Sequence, residues 1–197
     1  MITYIIIGLT ALISVVAFSD RALFAKLLLN PYQVYHRKEY FRLITHGFIH
    51  ADWNHLIFNM LSLYFFGGLV EHELGIILYM VLYLGGLIFA SLGSIIKYKD
   101  NYLYNSVGAS GAVSSVVFAS ILFYPWNKIY IFFIPIGIPG ILFGVIFLWY
   151  SHYMSKKNTD NINHEAHMLG ALFGLTLPII IDHRYFLHFI NELINFF

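Results

Sequence analysis

Six apolar segments separated by polar breaks limit what this chain can fold into more than any other feature. A helix needs about 20 apolar residues to cross the hydrocarbon core of a bilayer, and segments of nearly that length recur along the sequence. Only 11% of the 197 residues are charged, whereas an ordinary soluble domain has about 25%. We therefore predict an all-α, polytopic membrane protein. The predicted spans are about 2–18, 54–70, 74–96, 110–124, 137–154 and 164–182.

The connections between these segments carry further predictions. The break at 71–73 is short, so the second and third spans should form a tight helical hairpin. The connection 19–53 is too long for a simple turn and should carry structure of its own. Pro135 and Pro139 stand at the start of the fifth span, which should therefore be irregular or kinked. All of residues 1–197 are predicted to form a single membrane-embedded domain.

Each end of the chain has its own pattern. The first apolar run, from Ile2 to Phe18, has no Lys or Arg before it and is followed directly by Asp20 and Arg21. We interpret it as a retained span, because a secretory signal would carry a basic start and a small-residue cleavage site. Residues 183–197 place apolar side chains at helical spacing, which predicts either an amphipathic helix on the membrane surface or a packed tail.

Charge and cysteine content exclude several function classes. The formal net charge is +1 and the sequence has no basic run, so nothing indicates nucleic-acid binding. The chain has no Cys, which removes disulfides, thiolate metal sites and cysteine nucleophiles together. Function should therefore depend on polar residues within the apolar segments, because such residues are costly there.

The motif Gly108-Ala109-Ser110-Gly111 opens the fourth apolar segment. A serine between glycines at the start of a helix suits nucleophilic attack, since Gly108 lets the backbone approach a substrate and Gly111 leaves room beside the hydroxyl. The helix N-terminus also offers unpaired N–H groups to a developing oxyanion. Taken alone, such a motif more often means close packing of helices through small residues.

His167 opens the sixth segment, three residues before Gly170. Gly170 and Gly174 share one helix face with His167 and permit close approach of a partner helix. If that partner is the Ser110 helix, the two side chains form a Ser–His dyad. The histidine would take the hydroxyl proton and later return it to the leaving amine. The alternative is a histidine that only makes a hydrogen bond between helices.

His55 and Asn59 are spaced i, i+4 on one face of the second segment. Both can donate hydrogen bonds into a cavity, which suits the stabilisation of an oxyanion. His46 and His50 repeat this spacing, which is also common in pairs of metal ligands. The segment His164-Glu165-Ala166-His167 is one residue too short for the HExxH zinc motif. We therefore predict no bound metal and no cofactor.

In this order along the chain, these residues resemble the rhomboid intramembrane serine proteases. The resemblance covers about residues 40–182, which is most of the chain. It rests on Phe41-Arg42, His46, His50, His55, Asn59, Gly67-Gly68, Glu71, Gly75, Gly108-Ala109-Ser110-Gly111, His167-Met168-Leu169-Gly170 and Gly174.

The resemblance implies a compact six-helix bundle, with the serine held below the membrane surface in a water-filled cavity. It makes Ser110 the nucleophile and His167 the general base, with no aspartate as a third member. His55, Asn59 and the Ser110 backbone N–H would form the oxyanion hole. The implied substrates are transmembrane segments of other proteins, cleaved in a cell membrane. The residues implied to be structural are Gly108, Gly111, Gly170, Gly174, Arg42 and Glu71.

Two positions depart from the family pattern. Some rhomboids have a tyrosine one helical turn after the serine, packed beneath the histidine. This chain has Ser114 at that position, so the imidazole needs another support. Members of the family often have Trp-Arg in the first loop, where this chain has Phe41-Arg42 and so keeps an aromatic residue.

The resemblance and the charge distribution predict opposite membrane orientations. The family topology would place the connections 19–53, 97–109 and 155–163 outside. The positive-inside rule would place them inside, because they contain most of the Lys and Arg residues. Those residues are Arg21, Lys26, Arg37, Lys38, Arg42, Lys97, Lys99, Lys156 and Lys157.

Two other functions stay open from the sequence. A rhomboid-like protein could bind membrane segments without cutting them, although such proteins usually lack the serine or the histidine. A small transporter or metal-binding membrane protein could use the histidines instead. That protein would contain bound metal and would not react with serine-directed reagents.

Overall fold

The computed structural model describes residues 1–130, 136–157 and 162–195, which form ten α-helices and one two-stranded sheet. A 3-10 turn, His46–Phe48, follows the fourth helix, and a π-helical turn, Leu63–Gly67, joins the fifth helix to the sixth. The helices are α1 (Ile2–Ser19), α2 (Arg21–Leu27), α3 (Pro31–Arg37), α4 (Arg42–Thr45), α5 (Trp53–Ser62), α6 (Gly68–Tyr98), α7 (Ser110–Phe123), α8 (Gly140–Lys157), α9 (His164–Ile181) and α10 (Arg184–Ile194).

Three helical stretches in the described residues are long and apolar enough to cross a membrane: Ile2–Ser19, Trp53–Tyr98 and His164–Ile181. Helix α7 is apolar but has only 14 residues. At about 1.5 Å per residue it falls short of the roughly 30 Å of a hydrocarbon core. Length and composition therefore single out three stretches rather than the six spans that the sequence predicts.

The long stretch Trp53–Tyr98 reverses direction at Gly75, where φ is 73° and ψ is 166°. A Cβ added to Gly67 would lie 2.9 Å from Tyr79 Oη, although twelve residues of straight helix would separate these positions by about 18 Å. The stretch is therefore a hairpin of two helical legs. Its turn lies at Gly75, where glycine tolerates the positive φ, and not at the predicted break, 71–73.

Glu71 lies in the first leg of this hairpin, where its carboxylate makes hydrogen bonds to the start of α1. The carboxylate accepts hydrogen bonds from the backbone N–H groups of Ile2 (2.8 Å) and Thr3 (3.0 Å) and from the Thr3 hydroxyl (2.7 Å). These N–H groups open α1 and have no partner within the helix. Glu71 therefore caps α1, which explains how a carboxylate is accommodated in an apolar helix.

Helix α1 turns its small polar side chains inward. Thr3, Thr10 and Ser14 are buried, whereas Ile5 and Leu12 are exposed. This pattern is the reverse of a water-facing helix and is typical of one whose outer face meets lipid.

Helix α7 is the centre of the fold. Every residue after Ser110, from Gly111 to Phe123, is buried, as expected for a helix that is apolar all round. Small residues let α6 approach it closely: a Cβ added to Gly86 would overlap the Ser115 side chain. Helix α7 is therefore set within a tightly packed group of helices.

The connection 19–53 carries structure of its own, as predicted. It contains α2, α3, α4 and the 3-10 turn. Arg42 is only 8% exposed. Its guanidinium links α4 to the end of α2 by donating hydrogen bonds to the carbonyl oxygens of Ala25 (3.0 Å), Lys26 (2.8 Å) and Leu28 (2.8 Å). An ion pair with Glu39 (2.7 Å) satisfies the rest of its charge. Arg42 is thus a scaffold residue of this connection.

A short antiparallel sheet accompanies the helices of the predicted all-α fold. Strand β1 (Lys128–Tyr130) pairs with β2 (Gly137–Pro139). The fifth predicted span, 137–154, therefore begins as a strand and becomes helical at Gly140. Proline disfavours helix at the residue before it and cannot donate a hydrogen bond itself, so Pro139 delays the helix. Pro135 lies outside the described residues.

The predicted C-terminal helix is present as α10. Its Tyr185 ring packs against Phe123 with 4.8 Å between centroids, and a ring nitrogen of His188 lies 2.9 Å from the Phe123 carbonyl oxygen. Phe186 and Leu187 are exposed on the other side. The helix is therefore both packed under the end of α7 and apolar on its outer face.

Candidate active site

Ser110 is the first residue of α7 and is half-buried. The chain enters this position through Gly108, whose φ is 110°, a conformation that favours glycine. A Cβ added there would overlap the His55 ring. Glycine is therefore required at this position both by the backbone conformation and by the space that His55 occupies.

Two buried histidines hold the turn in front of Ser110. The Gly108 N–H donates to the His46 carbonyl oxygen (2.9 Å), and the Ala109 N–H donates to His50 Nε2 (3.3 Å). His50 Nδ1 lies 3.0 Å from Ser14 Oγ, whose own proton goes to a backbone carbonyl oxygen (2.9 Å). These contacts fit a neutral His50 that carries its hydrogen on Nδ1 and accepts on Nε2.

The neutral state of these histidines makes the fold sensitive to acid. Burial lowers the pKa of His46 from 6.5 to about 4 and that of His50 to about 3. Both groups return to ordinary values on unfolding, so the stability they contribute is complete above pH 6.5 and decreases as the pH falls. At pH 5 we expect a loss of about 2 kcal/mol for each histidine, seen as a lower unfolding midpoint in detergent.

A matched pair of variants tests this prediction. His50→Asn should flatten the pH dependence of the unfolding midpoint, whereas His72→Asn should leave it unchanged, because the His72 side chain is 87% exposed. An unfolding midpoint that is equal at pH 7.5 and pH 5 in the unsubstituted protein would contradict the prediction.

A cavity of about 990 Å³ lies at this end of α7. Its wall includes all four side chains predicted for catalysis and oxyanion binding: Ser110, His167, His55 and Asn59. Three separate segments of sequence, in α5, α7 and α9, thus converge on one space. Of the predicted structural residues, Arg42 and Glu71 lie away from it and brace the first connection and α1.

Helices α7 and α9 run in the same direction and touch through their backbones. A Cβ added to Gly170 would overlap the Gly111 carbonyl oxygen, and one added to Gly174 would overlap that of Ser115. The two pairs have the same sequence offset, 59 residues, so the helices stay in register over at least one turn. The Ser115 hydroxyl strengthens the contact by donating to the Gly170 carbonyl oxygen (2.8 Å).

This register determines where the two reactive side chains lie. Ser110 directly precedes Gly111, and His167 lies one turn before Gly170 on the same helix face. Both residues therefore lie at the same end of the α7–α9 contact, which is the end that opens into the cavity.

Asn163 fixes the start of α9. Its side-chain oxygen accepts from the Ala166 N–H (3.0 Å), and its carbonyl oxygen accepts from the His167 N–H (3.2 Å). Its amide nitrogen donates to Ser94 Oγ (2.8 Å) and to Tyr104 Oη (3.2 Å). The helix that carries His167 is thereby tied to α6 and to the connection that leads into Ser110.

Phe147 of α8 packs against the His167 ring, with 6.2 Å between centroids and 26° between ring planes. The His164 ring approaches His167 edge-on at 6.0 Å. Sequence reasoning missed Phe147, because an aromatic residue within an apolar span carries no distinguishing signal. It lies where the chain needs a support for the imidazole, since Ser114 offers no ring.

The oxyanion candidates lie on α5, which also borders the cavity. Asn59 is 5% exposed, and its amide donates to the His55 carbonyl oxygen (2.8 Å), which leaves one amide hydrogen for a second acceptor. The His55 ring stands edge-on to His50 at 4.9 Å. Both side chains are held by neighbours, so their donors are preorganised.

The two histidines that could have formed a metal pair are used by the protein itself. His46 Nδ1 lies 2.7 Å from the Arg42 carbonyl oxygen and its Nε2 lies 3.3 Å from Ser91 Oγ, while both nitrogens of His50 are engaged in the turn described above. Within residues 1–130, 136–157 and 162–195, no three His, Cys, Asp or Glu side chains are grouped so that they could hold a metal ion.

Comparison with known protein families identifies the chain. The family model described as the rhomboid domain matches residues 37–184. This chain belongs to the rhomboid family. The matched range contains the four wall residues named above: Ser110, His167, His55 and Asn59.

Several named rhomboids are similar to this one. "RHOMBOID-like protein 12, mitochondrial" of Arabidopsis thaliana is 30% identical over 149 residues, which are 66% of this chain and 43% of that protein. "Rhomboid-like protein 11, chloroplastic" of the same plant is 32% identical over 156 residues, 70% of this chain and 51% of that protein. "Rhomboid protease GluP" of Bacillus subtilis is 31% identical over 136 residues, 69% of this chain and 25% of that protein. The chain spans about half or less of the length of these relatives.

Proposed function

We propose that this rhomboid is an intramembrane serine endopeptidase that hydrolyses peptide bonds in or near transmembrane segments of other proteins. The observation that carries the proposal is the convergence of Ser110 and His167 on one cavity from two helices in direct backbone contact. A relative named as a rhomboid protease supports it.

The proposed reaction follows the groups on the cavity wall. His167 takes the proton from Ser110 Oγ as that oxygen attacks the substrate carbonyl carbon. The carbonyl oxygen becomes an oxyanion and accepts hydrogen bonds from the Ser110 N–H, His55 and Asn59. The C–N bond then breaks, and the leaving amine takes the proton from His167. Water, deprotonated by the same histidine, then attacks the acyl carbon. The ester bond to Ser110 Oγ breaks, Ser110 regains its proton from His167, and the second product is released as a carboxylic acid.

The cavity also accounts for the proposed substrate class. Peptide hydrolysis needs water, and polar residues at the helix ends can hold water within a cavity that the bilayer core would otherwise exclude. A substrate helix hides its carbonyl groups in hydrogen bonds, so it must unwind before Ser110 can reach one. We place the chain in the membrane with α1, both legs of the Gly75 hairpin, α7, α8 and α9 as its six membrane segments.

The membrane that contains the protein is a separate part of the proposal. Its apolar helices make it an integral membrane protein, and we propose the cell membrane. Relatives carry mitochondrial and chloroplastic names, so fractionation of cells that express the tagged chain is the measurement that decides. Recovery in an organelle membrane would contradict this location without affecting the chemistry.

A serine-directed probe tests the proposed chemistry. Protein purified in detergent is treated with a fluorophosphonate, the labelled residue is identified by mass spectrometry, and cleavage of a single-span substrate is measured in liposomes. We expect label on Ser110 and loss of both label and cleavage in Ser110→Ala. Ser114→Ala, one turn further along the same cavity wall, should keep both.

Two outcomes would reject the proposal. Equal labelling of the unsubstituted protein and of folded Ser110→Ala would show that Ser110 is not the nucleophile. Substrate binding without labelling or cleavage would identify a rhomboid-like protein that binds membrane segments and does not cut them.

In the same assay, Asn59→Ala should retain label on Ser110 but acquire it about 10- to 100-fold more slowly, because one oxyanion donor is lost.

A further inference from the structure

The aromatic contact between α8 and α9 involves a residue outside the proposed dyad. We infer that Phe147 is a positioning residue for the base, holding the His167 ring in the orientation that faces Ser110. The inference rests on the proposed function, because a base needs orienting only if His167 acts on Ser110.

The geometry of the contact is that of an offset aromatic stack. The Phe147 and His167 ring planes differ by 26° and their centroids are 6.2 Å apart, within the 4.5–7 Å range of favourable ring pairs. A flat ring against the imidazole restricts rotation of the His167 side chain. The contact therefore favours one orientation of the ring in the cavity.

Phe147 is itself held from two sides. Its ring contacts Phe118 of α7 with 5.5 Å between centroids, and Phe143, one turn earlier on α8, at 5.9 Å. Phe118 is 2% exposed, so its ring is a rigid support for the Phe147 ring. The three rings of Phe118, Phe147 and His167 form a column that connects the buried centre of α7 to the imidazole.

This column replaces a support that α7 does not provide directly. Ser114 occupies the place one turn after Ser110, and its side chain has no ring to stack against an imidazole. Phe118 lies one further turn along α7 and carries the support outwards through Phe147. The support of the base therefore comes from α8, a different helix from the one that bears the nucleophile.

The same contact favours the charged intermediate. When His167 accepts the proton from Ser110, its ring becomes an imidazolium, and a cation beside an aromatic face is stabilised by the electrons of that ring. Orientation and charge stabilisation both act after the substrate is bound. Loss of the ring should therefore lower kcat and leave KM unchanged.

The test compares substitutions at two phenylalanines of α8. Phe147→Leu removes the ring from His167, and Phe143→Leu removes an aromatic ring that contacts Phe147 without a stacking contact to His167 among the described ring pairs. We expect kcat for cleavage of a single-span substrate in liposomes to fall about three- to tenfold in Phe147→Leu at unchanged KM. Phe143→Leu should stay within twofold of the unsubstituted protein, and Phe147→Tyr, which keeps a ring, should do the same.

A rescue variant separates positioning from general packing. Ser114→Tyr, added to Phe147→Leu, returns a ring to the cavity wall one turn from Ser110, and it should recover most of the lost kcat. If Phe147→Leu does not fold, Phe147→Met provides a long apolar side chain without a ring, and the same fall in kcat is expected. The unfolding midpoint of each variant is measured alongside.

The outcomes are distinct from those that test the dyad. If the unsubstituted protein labels on Ser110 and cleaves substrate while Phe147→Leu matches Phe143→Leu in kcat, this inference alone is overturned. A rise in KM without a fall in kcat also overturns it, because the ring would then act on substrate binding. If the unsubstituted protein neither labels nor cleaves, the proposed function fails and this inference fails with it.

Discussion

Replacement of His167 with Ala is expected to lower kcat for membrane-substrate cleavage by about 10³-fold or more. Without the imidazole, the reaction loses the proposed group that removes the Ser110 proton during attack and protonates the leaving amine. Donors to the oxyanion remain in place, so a small residual rate should persist. The measurement is single-turnover cleavage in liposomes, combined with the rate of fluorophosphonate labelling in detergent.

The matched control for this prediction is the neighbouring histidine. His164 is 5% exposed, borders the same cavity and contacts the His167 ring edge-on. His164→Gln should change kcat by less than about tenfold, because His167 lies three residues before Gly170, which meets α7, whereas His164 lies six residues before it. A loss as large in His164→Gln as in His167→Ala would move the role of base to His164.

Gly170→Ala is expected to damage both stability and turnover. The added Cβ would overlap the Gly111 carbonyl oxygen, which is backbone and cannot rotate away, so α7 and α9 must separate. Overpacking of this kind costs about 1–3 kcal/mol. The separation also displaces His167 from Ser110, and a displacement of about 1 Å can lower a rate by about 10²-fold. The unfolding midpoint in detergent and kcat in liposomes measure the two effects.

A glycine in another helix provides the control. Gly8 lies in α1, and a Cβ added there would meet no atom within 4 Å. Gly8→Ala should leave kcat unchanged and keep or slightly raise the unfolding midpoint, because alanine favours helix more than glycine does. Unchanged stability and turnover in Gly170→Ala would show that the α7–α9 contact is not the constraint that positions the dyad.

The convergence of the site could be predicted from small-residue spacing. Gly170 and Gly174 are four residues apart, and Gly111 and Ser115 repeat that spacing on α7. The sequence therefore contains two helix faces with small residues at matching positions. The pairing of Ser110 with His167 was conditional on those faces meeting, and the resemblance to the rhomboid proteases is what favoured it. Their roles in catalysis stay predictions until the labelling experiments above are done.

Other features could not be read from sequence, for physical reasons. Glu71 suggested a polar break between helices, but its charge is satisfied by the first amides of α1, 68 and 69 residues away in sequence. The helix therefore continues to Gly75. A pairing over that distance leaves no local signal, and the same holds for the ring of Phe147 against His167.

The sequence also predicts more membrane spans than the helix lengths support. Helix α7 is short because it begins only after the turn through Gly108 and ends at Phe123, before Tyr124. An apolar segment of 110–124 looks like a span when only hydropathy is considered. Its neighbours, rather than its length, explain how it is buried, since all of Gly111–Phe123 is enclosed by other helices.

The α7–α9 contact has a consequence for how this protein could change its sequence preference. Two carbonyl oxygens and two glycines set the distance between α7 and α9, and so between the proposed nucleophile and base, so the side chains that α5 adds to the cavity wall are not needed to maintain it. On that wall, Asn54, Phe58 and Ser62 of α5 border the cavity. The α7–α9 contact and these three positions are thus separable, and a library randomised at the three positions can be selected for new cleavage sequences while Ser110 and His167 stay in register.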